Sequence, residues 1–368
     1  MSKKKSKLQL AQDKAQAAIN KTNKTIEELG VHTNGLYSVL TDIQDLFDKI
    51  RNVPSEKKLQ YEKLKAIRLN WKQQAEKIDN DYKNSTVKNA GAGAAGVGAG
   101  VAVAALGPTA AMGIATTFGV ASTGTAISTL SGAAATNAAL AWLGGGALAA
   151  GGGGMAAGNA FLALAGPVGW AIAGVTILTS SLLFWKSMSD KKQIENIFTL
   201  ISERDVKSYS LAIVELNERI SRIVYESKKL HDAVTHIVEF DLDYNAMTEA
   251  QQYELGSYVN LMSSSTQLLV NPIQGLHPKF SSNDFTEFTS WTGRKTDIQL
   301  CKDYRDLIIS LSNLLYKIDL NDKDKSQLHK TFSKNKKMLK SLNMKKKEFT
   351  PAIINAVDEA LRHRYANA

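Results

Sequence analysis

Three glycines, Gly91, Gly93 and Gly96, have the GxGxxG spacing with which a loop closes around the pyrophosphate of a dinucleotide. Such a site also needs a β-strand before the loop and an acidic residue about 20 positions after it. A charged helical pattern precedes these glycines, and the next acidic residue is Asp190. No lysine lies in the same stretch, which also excludes a P-loop. The glycine spacing therefore predicts no nucleotide site.

The segment around Asp241 begins like the calcium-binding loop of an EF-hand, since Asp243 and Asn245 follow at the spacing of the first ligands. However, Ala246 occupies the position of the turn glycine, and Gln252 replaces the glutamate that binds calcium through both oxygens. We therefore expect this segment to end a helix rather than to bind calcium.

A second polar cluster, Asp232, His236 and Glu239, occupies one face of a predicted helix. A single histidine among carboxylates is more often an exposed salt-bridge partner than a metal ligand. The only cysteine, Cys301, lies on an apolar seam, so we expect a small core side chain there. Since no Ser/His/Asp or Cys/His arrangement is recognisable, the sequence favours a protein without enzymatic activity, metal or cofactor.

The most unusual feature of the sequence is a stretch of 97 residues, 89–185, that contains no Asp, Glu, Lys, Arg or His. The same stretch holds 21 of the 26 glycines. A domain of this length in water needs charged side chains on its surface, so these residues require another apolar phase in which to be buried. A lipid bilayer is the obvious candidate. Residues 89–185 are called the uncharged span below.

One part of the uncharged span, 168–185, is apolar enough to cross a bilayer. Its eight strongly apolar side chains contribute on the order of −4 kcal/mol on an insertion scale. Trp185 next to Lys186 supplies the aromatic and cationic anchor expected at a membrane interface. The residues predicted to insert are Val168, Trp170, Ile172, Val175, Ile177, Leu178, Leu182, Leu183, Phe184 and Trp185.

Two pairs of glycines in the uncharged span, Gly96 with Gly100 and Gly154 with Gly158, have the GxxxG spacing. This spacing places two small patches on one helix face, where helices can approach closely in lipid. We therefore expect these glycines to pack helices in a membrane assembly of several copies, with or without other protein components. Because both flanks of the span are basic, an even number of crossings is favoured.

Both flanks of the uncharged span have helical periodicity. Apolar residues recur every three or four positions over 36–50 and again after Pro54. The same spacing continues over four heptads within 190–240, and we predict that this segment is a single helix. A further helix is predicted over 298–318. No stretch outside the span alternates apolar and polar residues as a strand does. The sequence therefore predicts an all-α protein, an elongated bundle of long amphipathic helices around a membrane-inserting segment.

Helix starts are also readable in the second half of the chain. Thr248 and Gln251 fit a capping box, and Thr350 followed by Pro351 fits an N-cap and the first helical position. The predicted organisation has four parts: N-terminal helices 1–88, the uncharged span 89–185, the long heptad helix and the helix after it 186–270, and a C-terminal helical region with a basic tail 271–368.

Lysines are concentrated at both ends of the chain. Seven lie in the stretch from Lys334 to Lys347, and Lys3, Lys4 and Lys5 occur near the start of the sequence. A solvated helix face explains such lysines most simply, although anionic lipid headgroups would attract each of them by about 1 kcal/mol. We expect a lipid bilayer, and not nucleic acid, as the partner.

One cysteine cannot form an internal disulfide, and the basic N-terminus lacks the apolar run of a secretory signal. We therefore expect a soluble form that is cytoplasmic or exported without a leader, and a membrane location when the protein is active.

The layout of long amphipathic helices, a central uncharged segment rich in glycine, and another long heptad helix resembles that of the α-helical pore-forming toxins, the cytolysin A group and the enterotoxin components of bacilli. The resemblance rests on the uncharged span lying between a helix that ends near Tyr82 and one that begins near Asp190. It implies that the apolar segment is held in a soluble monomer and released into a membrane on assembly, with long helices forming the pore wall.

Three interpretations follow. The chain is a pore-forming toxin or cell-killing defence effector, a membrane-anchored helical scaffold or partner-recognition protein without pore activity, or a soluble protein whose uncharged span is a buried core.

Overall fold

The computed structural model describes residues 6–69, 71–72, 188–271, 273, 279–280, 282–334, 339 and 344–367. Within these ranges all regular structure is helical, which confirms the all-α prediction for this part of the chain. The α-helices are α1 (Lys7–Lys49), α2 (55–69), α3 (Met188–Ile237), α4 (Glu249–Val270), α5 (Ser282–Ser290), α6 (Ile298–Asp303), α7 (Arg305–Leu315), α8 (Asp322–Lys334) and α9 (Pro351–Ala366). A short 3-10 helix, Tyr244–Ala246, precedes α4.

The two longest helices, α1 and α3, lie side by side and run in the same direction. At one end, Leu8 of α1 shares a core with Ile194 of α3. At the other end, the N–H of Arg51 donates to the carbonyl of Leu242 over 2.7 Å, and the N–H of Tyr244 donates to the carbonyl of Arg51 over 2.9 Å. Because α1 has 43 residues and α3 has 50, the two helices are about 65 and 75 Å long.

A seam of buried residues runs along the whole of α1. Its spacings of three, four or seven residues keep it on one face of the helix, and its members are Leu8, Ala11, Ala15, Thr22, Thr25, Leu29, Thr33, Leu36, Leu40, Ile43 and Phe47. The helix therefore begins far before the predicted seam at Leu36, because small and hydroxyl side chains carry its first half. The hydroxyls are satisfied within the helix, as when Thr22 donates to the carbonyl of Ala18 over 2.9 Å.

The first core surrounds the C-terminal halves of α1 and α3. The chain reverses after α1 at Asn52, whose φ of 59° lies in the left-handed region that asparagine tolerates, and α2 returns along α1. The ring of Tyr61 meets that of Phe47 edge to face, with 5.3 Å between centroids. Helix α4 returns along α3 and adds Met262 and Leu269 to the same core.

The second core lies at the opposite end of the helix pair. Helices α5 to α9 pack there on the first turns of α3 and on Leu8 of α1. Ile194 and Phe198 of α3 meet Phe332 of α8 in this core. The side chain of Gln193 also donates to Asp324 over 2.5 Å.

Two arginines on α3 hold the C-terminal ends of other helices. Arg219 donates to the carbonyls of Leu268 and Asn271 at the end of α4, over 2.8 and 2.9 Å. Arg204 donates to the carbonyl of Leu314 at the end of α7, over 2.9 Å. A cation at a helix C-terminus satisfies carbonyls that have no partner in their own helix. These contacts tie both cores to α3.

Most predicted helices are confirmed, with one difference. The single long helix expected over 190–240 is α3, and the capping box is present because Thr248 accepts from the N–H of Gln251. Helix α9 begins at Pro351 as predicted, although Thr350 makes no side-chain cap. The helix expected over 298–318 is instead divided at Tyr304 into α6 and α7. At the division the backbone of Tyr304 leaves the helical region, with φ of −114° and ψ of 27°.

Candidate functional site

The residues predicted to act in the membrane lie outside the described residues. These are the ten insertion residues, Val168, Trp170, Ile172, Val175, Ile177, Leu178, Leu182, Leu183, Phe184 and Trp185, and the packing glycines Gly96, Gly100, Gly154 and Gly158. The described residues give the positions at which the chain leaves α2 and enters α3, on either side of the uncharged span.

The chain leaves α2 at a ring cluster on α1. The ring of Trp71 stacks on that of Tyr37 with 5.8 Å between centroids. The cations of Arg68 and Lys72 lie over the same Tyr37 ring, at 5.9 and 5.3 Å from its centroid. Burial lowers the pKa of the Arg68 guanidinium. The last described turn of α2 is therefore held against the middle of α1.

The chain enters α3 at the second core. Ile194 and Phe198, about two and three turns after the start of the helix at Met188, are almost fully buried, and Leu8 of α1 packs in the same core. Tyr37 and Leu8 lie about 44 Å apart along α1. The two ends of the segment that contains the uncharged span are thus fixed at different heights of the same helix pair.

The flanks of the uncharged span bury their apolar seams against one another. The first core combines residues of α1, α2, α3 and α4, and the second combines α1 and α3 with the C-terminal helices. Among the described residues, the largest fully buried side chains include Trp71, Tyr61, Phe198, Phe280 and Phe288. Burial of this kind is the main source of stability in helical bundles.

An open groove of about 640 Å³ lies between α3 and α4 in the first core. His236 places its Nδ1 atom 2.9 Å from the Oε1 atom of Glu254. The hydroxyl of Tyr258 donates to the same oxygen over 2.5 Å. The groove is lined by Lys229, Asp232, Ala233, Thr235, His236, Glu239, Ser257, Tyr258 and Leu261.

The electrostatics of the groove stabilise a charged Glu254. The hydrogen bond from Tyr258, and then that from His236, lower the pKa of the Glu254 carboxyl against the opposing effect of burial. Burial, and then the hydrogen bond to Glu254, raise the pKa of Tyr258, so its hydroxyl remains a donor at neutral pH. The predicted salt-bridge histidine thus pairs across two helices, and the arrangement fastens α4 to α3.

The acidic segment that begins at Asp241 follows the end of α3 at Ile237 and leads into the 3-10 helix. Asp243 caps the 3-10 helix by accepting from the N–H of Asn245 over 3.0 Å, and it also accepts from the side-chain amide of Asn52. The bond from Asn52 and then the bond from Asn245 lower the pKa of Asp243. Within the described ranges, no group of three or more His, Cys, Asp and Glu side chains is placed to hold a metal ion.

Two further predicted features are placed by the structure. Cys301 is fully buried in the second core, as predicted for a small core residue, and burial raises the pKa of its thiol. Lys345, Lys346 and Lys347 are exposed, whereas most of the basic stretch before them lies outside the described residues.

Sequence reasoning missed one surface of α3. Leu211 and Val214 are 69% and 65% exposed, on the side of the helix away from its buried seam. The signal was present in the sequence as two apolar residues three positions apart, out of step with the seam through Ile213 and Leu216.

None of the helices in the described part of the chain combines the length and apolar composition needed to cross a membrane. No protein-family model matches this chain, and no curated protein or solved structure matches it either.

Proposed function

We propose that this chain is a membrane-inserting, pore-forming helical protein, a toxin or a cell-killing defence effector, that stores its apolar segment in a soluble form and assembles in a bilayer. The observation that carries the proposal is the uncharged span, 97 residues without one ionisable side chain. Its C-terminal part, 168–185, has the apolar composition and the interfacial anchor of a membrane helix.

The described helices support this proposal by leaving little need for the uncharged span as a core. The apolar seams of α1, α3 and α4 already meet one another in the first core, and those of the C-terminal helices meet α3 in the second. A span that is not required to complete these cores needs another apolar environment, and lipid provides one.

The position of α3 supports a mechanical link between the membrane and the rest of the protein. Only three residues separate Met188, the start of α3, from Phe184 in the predicted membrane helix. A membrane helix so close to a helix of 50 residues would move with it. The basic flanks would hold anionic lipid, and the glycine pairs would pack copies of the inserted helices together.

Charges placed in the predicted membrane helix test the proposal. Ile172→Asp with Val175→Asp adds a cost of about 2.5 to 3.5 kcal/mol per charge at a helix centre, which cancels the estimated gain of insertion. We expect this double variant to lose liposome binding and dye release. Val31→Asp with Val238→Asp is the matched control, because both valines are more than 60% exposed, Val31 on α1 and Val238 directly after the end of α3. Undiminished dye release by the Ile172/Val175 variant would exclude 168–185 as the inserting element.

The second candidate is a membrane-anchored helical scaffold or partner-recognition protein without pore activity. The exposed apolar residues of α3, Leu211 and Val214, favour it because such a face is typical of a helix that binds another helix. One experiment distinguishes the two candidate functions. A scaffold remains on liposomes through a carbonate wash without releasing trapped dye, whereas a pore-forming protein releases the dye.

A further inference from the structure

A stripe of exposed residues follows the outer face of α3. From Lys207 onwards its positions step by four and three residues, the spacing of a coiled-coil seam, and Leu200 lies seven residues before Lys207. Leu211 and Val214 at its centre are 69% and 65% exposed, and Tyr225 at one end is 60% exposed. We call this the outer stripe, and its members are Leu200, Lys207, Leu211, Val214, Glu218, Ser221 and Tyr225.

The neighbouring helices contact α3 through other positions. Helix α1 meets the buried seam that includes Ile213 and Leu216. Helix α4 is held at Arg219, and α7 is held at Arg204. Among the described residues, nothing covers the outer stripe from Leu200 to Tyr225, a length of about 38 Å.

We propose that the outer stripe binds a second copy of this chain, with the two α3 helices antiparallel and a two-fold axis between Ala212 and Ile213. In this register Leu211 faces Val214 of the partner subunit, and Lys207 faces Glu218 of the partner subunit. Each contact occurs twice, as the symmetry of a two-fold dimer requires. Antiparallel coiled-coil packing pairs alternate seam positions in this way, so the geometry of the stripe suits it.

Charge complementarity favours a second copy of this chain as the partner, and it favours an antiparallel orientation of the two α3 helices. In this register Lys207 and Glu218 of the partner subunit join opposite signs in both symmetry-related contacts. Glu218 and Arg222 also lie 4.0 Å apart within α3, but both are exposed, and such a pair contributes little. A parallel dimer in register would instead place Lys207 on Lys207 and Glu218 on Glu218, which is unfavourable.

The antiparallel dimer has a consequence for the membrane segments. Each α3 begins at Met188, and the two starting points would lie about 70 Å apart at opposite ends of the pair. Two copies joined in this way cannot insert side by side into one bilayer through the segments that precede α3. The dimer is therefore a resting form that must separate before assembly. This consequence rests on the proposed function, whereas the dimer itself does not.

Charge reversal tests the interface directly. Lys207→Glu and Glu218→Lys each place like charges opposite each other twice, so we expect each to weaken dimerisation by about tenfold or more in sedimentation velocity of the full chain without detergent. The double variant Lys207→Glu with Glu218→Lys restores opposite charges and is expected to dimerise as the wild type does. Lys24→Glu, an exposed reversal on α1, is the control. Failure of the double variant to recover, or a wild type that stays monomeric at about 100 μM, would overturn the proposal.

Cross-linking tests the direction of the helices. A mixture of Lys207→Cys and Glu218→Cys chains is expected to form a disulfide-linked dimer faster than either variant alone. In the antiparallel register, residue 207 of one copy faces residue 218 of the other, while two residues at 207 lie about 16 Å apart along the helix. The natural Cys301 is fully buried and does not compete. Faster cross-linking of the Lys207→Cys chain with itself would indicate parallel packing and contradict the proposal.

Discussion

The carboxylate of Glu254 shows how a single side chain fastens α4 to α3. Tyr258 and His236 both hydrogen-bond to it, and the pKa of Glu254 is lowered in the folded protein. A carboxyl whose folded pKa lies below its unfolded value stabilises the fold above the unfolded pKa and loses that contribution as the pH falls through the folded pKa. The contribution is therefore present at pH 7 and is lost progressively as the pH falls below the ordinary glutamate pKa of about 4.3.

Tyr258→Phe tests this account. Loss of the phenol hydrogen bond is expected to lower the free energy of unfolding by about 1 kcal/mol at pH 7. The difference from the wild type should shrink as the pH falls below the ordinary glutamate pKa of about 4.3, because Glu254 then becomes protonated in both chains. Urea unfolding at several pH values measures this difference in the free energy of unfolding. Tyr253→Phe is the control, since Tyr253 is 82% exposed on the same helix. A constant difference at every pH would mean that the Tyr258 hydroxyl stabilises the fold independently of the charge on Glu254.

The sequence predicts the environment of the Cys301 side chain correctly and that of His236 only in part. The periodicity around Cys301 suffices to place that side chain in a core. The helical spacing of His236 pointed to Asp232 and Glu239 on its own face, whereas the structure pairs it with Glu254 of α4. Such a pair depends on how two helices dock, and spacing within one helix carries no information about that.

Among the helices, the parallel pair of α1 and α3 has small buried side chains in the section between its two cores. The buried residues of α1 there are small, Ala11, Ala15, Thr22 and Thr25, and they face a section of α3 that includes Ala212. Small side chains allow the two helices to approach closely, so a larger side chain has little room. This section joins the first core to the second.

Ala15→Leu is therefore expected to destabilise the protein by about 1 to 3 kcal/mol through overpacking. Ala17→Leu, two positions away on the exposed face of α1, should change stability by less than about 0.5 kcal/mol. Thermal unfolding followed by circular dichroism compares the two. Equal stability of both variants would show that α1 and α3 are not closely packed at Ala15.

The same section explains why helix prediction was uneven. The seam of α3 is marked by large residues such as Ile213, Leu216 and Ile220, so its length could be predicted within a few residues. The first half of α1 carries its seam on alanine and threonine, which are common on any helix face. The spacing of large apolar residues therefore predicts α1 only from Leu36 onwards. The division at Tyr304 was also missed, because the sequence there contains neither proline nor glycine.

For the whole molecule, the packing role proposed for the glycine pairs can be tested separately from membrane insertion. Isoleucine at Gly154 and Gly158 raises the hydrophobicity of the segment but blocks close helix contact. We expect this double variant to bind liposomes at least as well as the wild type and to release less dye. Flotation measures binding, and a trapped fluorophore measures release. Dye release that rises together with binding would assign these glycines no role in packing.

The most direct test of the proposed function compares the full chain with a chain in which 89–185 is replaced by a short Gly/Ser linker. Both should retain a helical circular dichroism spectrum, because the described helices bury their seams in two cores outside that span. Dye release from liposomes of phosphatidylcholine and phosphatidylglycerol is the measurement. We predict release by the full chain and none by the shortened chain. Equal release by a folded shortened chain, or no release by the full chain, would contradict membrane insertion through the uncharged span.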